Sequence, residues 1–178
     1  MLMETGRHIA RRLRARRGIA VAWLLAVASW HAVAAPVACT APQQTVFSCS
    51  TGTKTVSVCA SADLSASAGS LQYRFGRPAA AELAYPPDGT DWRAVTHGGT
   101  LMFSGGGGAF LAFDKAPYRY VVFTAVGNGW GSKAGVVVER GGRRIASLPC
   151  KGPVTSELGP ELFSKAAIAP AQSEFELP

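Results

Sequence analysis

The sequence predicts an all-β protein, an antiparallel barrel or sandwich of about eight short strands stapled by disulfides. Three observations predict it. Short apolar or alternating runs recur through residues 39–150, each stopped by glycine or proline. None of them has the three-and-four spacing of an amphipathic helix. The four cysteines, Cys39, Cys49, Cys59 and Cys150, all follow an export-type leader. Closure into a barrel would leave no exposed strand edge, but the pattern of runs fits a sandwich equally well.

The leader is legible from residue 1. Arg7, Arg11, Arg12, Arg14, Arg16 and Arg17 precede an apolar segment, Ile19 to Ala28, and then Ala32-Val33-Ala34. A basic start, a short apolar middle and a small-x-small site make a secretory signal peptide. The apolar run is shorter than the roughly 20 residues needed to cross a bilayer. Cleavage is expected after Ala34, leaving a domain over 35–150, a Pro/Ala/Ser-rich mobile tail over 151–178 and no membrane anchor. Pro36-Val37-Ala38 lacks the leucine expected before a lipid-bearing cysteine. Residues 1–34 hold six of the 18 Lys+Arg and one of the 11 Asp+Glu. The remainder keeps 12 bases and 10 acids, net +2 against +7 for the whole chain. The basic character therefore belongs to the leader, and no nucleic-acid partner is expected.

An even cysteine count after such a leader reads as two disulfides in an oxidising, periplasmic or secreted setting. No close Cys-x-x-Cys pair and a single histidine after the leader, His97, give no metal site. Val46 to Cys59 forms a hairpin if Thr51-Gly52 is its two-residue loop. Ser50 then faces Thr53, Phe47 faces Val56, and Cys59 lies about 17 Å along from Cys49. Bridged Cα atoms lie within about 7 Å, so Cys49–Cys59 is disfavoured. Two pairings remain: Cys39–Cys59 with Cys49–Cys150, or Cys39–Cys49 with Cys59–Cys150. The first is preferred because Cys39 and Cys59 lie at the same open end of the hairpin.

Beyond a small-residue connector, Leu71, Tyr73 and Phe75 alternate with Gln72 and Arg74, the pattern of a half-buried strand. A weaker strand runs from Glu82 to Tyr85. Thr100–Ser104 and Ala109–Asp114 are apolar on both faces and flank Gly105–Gly108, which predicts a buried hairpin with a glycine tip at the rim. Tyr118 to Val126 is the longest β-type run. The last hairpin turns at Gly141-Gly142, which places Val138 opposite Ile145 and Glu139 opposite Arg144.

Chemistry is sparse. No Gly-x-Ser-x-Gly elbow accompanies His97, which is expected in a loop beside Gly98-Gly99. Glu82, Asp88 and Asp91 form the local carboxylate group, and nothing sets two of them face to face as a glycosidase needs. Asp88, Asp91 and His97 are the residues a hydrolase would have to use. Gly105–Gly108 is not followed by Gly-Lys-Ser/Thr or a helix, so no nucleotide or other cofactor is expected. Trp92, Trp130, Tyr118 and Tyr120 can offer a ligand apolar area with a polar handle.

Several elements resemble a group of small exported bacterial proteins of unknown function. They are Phe47 to Cys59, Leu71 to Gly76, Met102 to Gly108, Gly129-Trp130 and Ala134 to Glu139, which together span residues 39–150. That resemblance implies export and no particular activity. The chain is more loosely similar to periplasmic inhibitors of c-type lysozyme, small β-barrels that bridge an early cysteine to one near the C-terminus. Cys49 and Cys150 would match those cysteines. Such inhibitors insert a Ser-Gly-Ala-basic-Tyr loop. Here Ser104-Gly105 begins it, Gly106–Gly108 intervene, and no basic residue or tyrosine follows. The reading is a non-enzymatic envelope domain that has a structural role or binds an envelope or extracellular protein or glycan. Ser104, Gly105, Trp92 and Trp130 are its candidate contacts. Hydrolase inhibition through Ser104–Gly108 is the alternative.

Overall fold

The computed structural model describes residues 35–178; the expected leader, residues 1–34, lies outside the described residues. Eleven strands follow in order. β1 (Gln44–Ser50), β2 (Thr55–Ala60), β3 (Leu71–Arg77) and β4 (Ala80–Tyr85) come first. After a 3₁₀ turn (Trp92–Val95) come β5 (Thr96–Phe103), β6 (Gly106–Lys115), β7 (Tyr118–Gly127), β8 (Gly131–Arg140) and β9 (Arg143–Pro149). β10 (Val154–Ser156), helix α1 (Pro160–Lys165) and β11 (Ala169–Pro170) complete the chain. They form two open sheets, β10-β1-β2-β3-β4 and β11-β5-β6-β7-β8-β9, antiparallel except where β11 joins β5. Neither sheet closes on itself, so the fold is a sandwich.

Side-chain alternation decides what lies between the sheets. Phe47, Val56, Val58 and Tyr73 face Leu111, Phe113, Val122 and Val136 in one core. The Tyr73 ring lies 5.7 Å from Phe113 and 5.3 Å from Tyr120, centroid to centroid, and so bridges the layers. Both disulfides are formed: Cys39–Cys59, and Cys49–Cys150. The preferred pairing is the one adopted.

The first hairpin corrects the expected register. Ser50 pairs with Thr55 and Phe47 with Val58, so the loop is Thr51–Lys54 rather than Thr51-Gly52. The Ser50 hydroxyl accepts the Gly52 N–H, Thr51 N–H donates to the Lys54 carbonyl, and Lys54 reaches out to Glu82. A slip of two residues keeps every side chain on its expected face, which is why the pairing of cysteines survives it. A bulge between Thr45 and Phe47 then sets Thr45 opposite Cys59.

The polar side of β3 is also not where alternation puts it. Gln72 and Arg74 are buried. The segment around Pro36–Cys39 crosses that outer face, where Arg74 Nη1 donates to the carbonyls of Pro36 and Ala38, and Arg74 Nε donates to Gln72. Burial lowers the Arg74 pKa, and Asp88 pulls it back up in part. The Cys39–Cys59 bridge fastens this cover to β2.

In the central hairpin only Ser104-Gly105 turns, and Gly106–Gly108 belong to β6. A Cβ at Gly106 or Gly108 would be built into the β7 backbone at Val126 or Thr124. These glycines let two strands approach closely instead of forming a tip. At the last hairpin Gly141 and Gly142 both take positive φ, and Glu139 faces Arg144 as expected. A bulge there sets Val138 against Ala146 and turns Ile145 out to solvent.

The expected mobile tail is instead a packed part of the fold. β10 pairs with β1, and Leu162, Ala166 and Ile168 from the α1 region enter the shared core. The last residues cross the outer face of the larger sheet. There Phe175, 6% exposed, packs on Phe110 and Phe123 at 5.1 and 5.5 Å. Arg119 reaches Ser173 Oγ, Arg144 the Glu176 carbonyl and Lys133 the Pro178 carbonyl. Composition concealed this because the apolar residues of 151–178 sit among many Pro, Ala and Ser residues and fill separate gaps, Leu162, Ala166 and Ile168 in the shared core and Phe175 on the outer face.

Two measurements check this account. The bridges span 20 and 101 residues, and chain entropy scales with 1.5R ln n, so removing Cys49–Cys150 should cost about 1.4 kcal/mol more than removing Cys39–Cys59. Paired Cys→Ala variants unfolded in urea measure the difference; equal costs would refute it. Burial, helped by Tyr120, raises the Tyr73 phenol pKa far above 10.0. The unfolded chain ionises Tyr73 near pH 10 and the folded chain does not. Stability from this group is therefore full below about pH 10 and lost as pH rises beyond it. Tyr73→Phe should remove most of that alkaline slope in urea midpoints.

Candidate functional site

β5 to β8 run eight to ten residues, against six or seven in β1 to β4. One end of the larger sheet is accordingly left uncovered. Met102, Gly107, Val126 and Ser132 stand opposite one another across β5 to β8, in the row that continues the inward face. Nothing from the smaller sheet reaches Met102, 89% exposed, or Val126, 60% exposed. On the reverse face the Phe103 and Trp130 rings lie 5.6 Å apart and tilted. Trp130 lies over Gly127, where any Cβ would be built into the indole. Lys133 Nζ sits 5.3 Å from the Trp130 ring centroid, a cation–π contact, and Trp130 remains 40% exposed.

Two turns hold this end together. Asn128 N–H donates to the Gly105 carbonyl at 2.9 Å, which ties the β5–β6 turn to the β7–β8 turn. Gly105, Gly129 and Gly131 take positive φ. Of the residues nominated from sequence, Ser104, Gly105 and Trp130 are brought together here. Trp92 is not: it is 2% exposed, donates Nε1–H to the Gly69 carbonyl at 3.0 Å and carries the Arg93 guanidinium at 4.3 Å. It is a core tryptophan and cannot meet a ligand. Met102, Phe103, Val126 and Lys133 belong to the site and were missed. Met102 and Phe103 lie in a hairpin whose arms are apolar on both faces, which reads as burial unless the two sheets are known to differ in length.

Each member of the trio a hydrolase would need is engaged with a different partner. Asp88 accepts from Gln72, and Asp91 caps the 3₁₀ turn through Arg93 N–H. His97 lies in β5 rather than in a loop, and its Nδ1 meets Asp114 Oδ2 at 2.9 Å. Arg119 links Asp114 (3.5 Å) to Glu139 (3.1 Å) across the outer face. The hydroxyl that reaches this network, Ser173 Oγ, accepts from Arg119. The cluster reads as an ion-pair ladder that seats the C-terminal segment. No group of three or more His, Cys, Asp or Glu converges as a metal site among the described residues.

Comparison of the chain with protein-family models, curated proteins and solved structures returns no match. The site must be judged on its own chemistry. Chemically it offers apolar area, one indole N–H and one ammonium, on a support fixed by backbone hydrogen bonds.

Truncating the two tryptophans should separate their roles. Trp130→Ala should change unfolding free energy by less than about 1 kcal/mol, while Trp92→Ala should cost about 3–5 kcal/mol. Denaturant titration of both variants gives the comparison, and similar losses would show that Trp130 is structural.

Proposed function

We propose that this chain is an exported, non-enzymatic binding domain of the bacterial periplasm or extracellular space. On this reading it docks a protein partner through the Met102–Phe103–Val126–Trp130 end. One observation carries the reading: three large apolar side chains are exposed at one uncovered sheet end, Met102 and Val126 on one face and Trp130 on the other, on a backbone-locked support. Scattered surface apolar residues are ordinary, but several gathered on both faces of one sheet end, a tryptophan among them, mark a contact surface. Export is supported by the leader pattern and by two disulfides. No helix among the described residues is long and apolar enough to cross a membrane. Aliphatic Met102 and Val126 suit a protein surface better than a sugar ring, which needs hydrogen-bonding groups around the indole.

Inhibition of lysozyme or another hydrolase is the second reading, favoured by the way the Ser104-Gly105 turn projects at the uncovered end. The inserting element would be that narrow tip flanked by Met102 and Trp130, since Gly106–Gly108 are strand and not loop.

The test is retention of the purified protein on an isolated envelope fraction, with a c-type lysozyme assay run in parallel. Trp130→Ala combined with Val126→Ser should weaken retention at least about tenfold. Ile145→Ser, which removes an exposed apolar residue on another edge, should leave it unchanged. Equal retention of all three proteins would end the docking reading. Undiminished lysozyme activity at large excess would end the second.

A further inference from the structure

The two sheets present four edges, and three of them carry devices that discourage further strand pairing. β10 has three residues, β4 carries Glu82 and stands before Pro86, and β9 has Arg143, Arg144, a bulge and Pro149. The fourth is β5, which β11 covers only at His97 and Gly98. Ala171 N–H donates to the Gly98 carbonyl, so Gly98 turns its main-chain groups outward. Backbone polar groups alternate along a strand, and those of Thr100 and Met102 therefore point to the same open side. Among the described residues nothing pairs with them. Thr100 and Met102 are exposed, β5 pairs with β6 without a bulge, and Gly98 to Gly108 contain no charged residue and no proline.

We propose that the protein self-associates through this half of β5, two copies adding edge to edge and antiparallel about a two-fold axis at Leu101. The inference goes beyond the docking reading and does not rest on it. The register follows from which groups are free. With Leu101 facing Leu101 of the second copy, Thr100 of each copy faces Met102 of the other. Those are the residues whose N–H and C=O are available, giving about four main-chain hydrogen bonds. Centring on Thr100 would call on Gly98, whose carbonyl is already taken by Ala171. Centring on Met102 would set Thr100 against Ser104, which lies in the turn. In the Leu101 register Phe103 of one copy faces Gly99 of the other, over which that copy's own Phe110 ring lies, so ring meets ring on the outer face. An uncharged edge lets like meet like without repulsion, as a two-fold contact requires. The C-terminal segment from Pro170 to Phe175 shares a hollow with Gly98–Met102 but pairs with β5 only as far as Gly98, and its last residues lie over the outer face at Phe110, Phe123 and Lys133.

Sedimentation of the purified protein across a concentration series, with amide hydrogen exchange, tests the proposal. The expected result is a reversible dimer in which the Thr100 and Met102 amides gain protection as concentration rises. Thr100→Pro removes an N–H that points away from β6 and should raise the dissociation constant at least about tenfold with an unchanged circular-dichroism spectrum. Met102→Lys, at an exposed position, should do the same by placing like charges at the contact. Trp130→Ala should leave the dimer intact. A monomer at every concentration overturns the proposal, as does a dimer indifferent to both β5 variants or one abolished by Trp130→Ala. Protection of the two amides only after another protein is added would equally remove the second copy as occupant.

Discussion

The Cys49–Cys150 bridge is the constraint on which the arrangement of layers depends. Cys150 ends the run through the larger sheet, and its N–H still donates to the Ala134 carbonyl in β8. One residue later, Lys151 N–H donates to the Ser50 carbonyl at the end of β1. The bridge therefore sits where the chain leaves one sheet for the other, and it holds β1 within reach of β10. Everything after Cys150 is placed by that crossing. α1 closes the core with Leu162 only because β10 has delivered the chain to that side. A cross-link closing so long a loop acts mainly on the unfolded ensemble, and so contributes to every layer at once.

Each terminal segment then covers the outer face of one sheet. The N-terminal one is held by a second bridge and by Arg74, whose burial is tolerable because its guanidinium finds carbonyls and the Gln72 amide oxygen. The C-terminal one is held by an aromatic anchor, Phe175, with Arg119, Arg144 and Lys133 along its length. The two faces are thus clamped differently: by a bridge and the Arg74 hydrogen bonds on the smaller sheet, by an aromatic anchor and hydrogen bonds from Arg and Lys on the larger. What stays uncovered is the far end of β5 to β8, where strand length exceeds the cover. The candidate contact surface is a by-product of that mismatch.

The sequence made the fold class legible because alternation at Phe47, Cys49, Val56, Val58, Leu71 and Tyr73 is a local signal. It also made the cysteine pairing legible, since face parity survives a two-residue slip. Register was less legible. Thr51-Gly52 looks sufficient for a turn, and the competing hydrogen bonds of Ser50 and Thr51 are visible only in three dimensions. The polar face of β3 was misread for a related reason. Its cover comes from residues nearly forty positions earlier, and no window along the chain contains both. Phe175 is the clearest case: a lone aromatic in a Pro- and Glu-containing stretch has no period, and its pocket is assembled from β6 and β7. At the site, Trp130 could be nominated because glycines flank it, whereas Trp92 could not be told apart from it by composition.

The order of the cysteines along the chain has a consequence for biosynthesis. Cys39, Cys49 and Cys59 are all translated long before Cys150, yet the native map skips from Cys39 to Cys59 and leaves Cys49 waiting. An oxidant that joined thiols simply in order of emergence would couple Cys39 to Cys49. The native pairing thus forms either if Cys49 stays reduced until the last strand has been made, or if thiol exchange, for which Cys59 is itself a candidate nucleophile, undoes the early error.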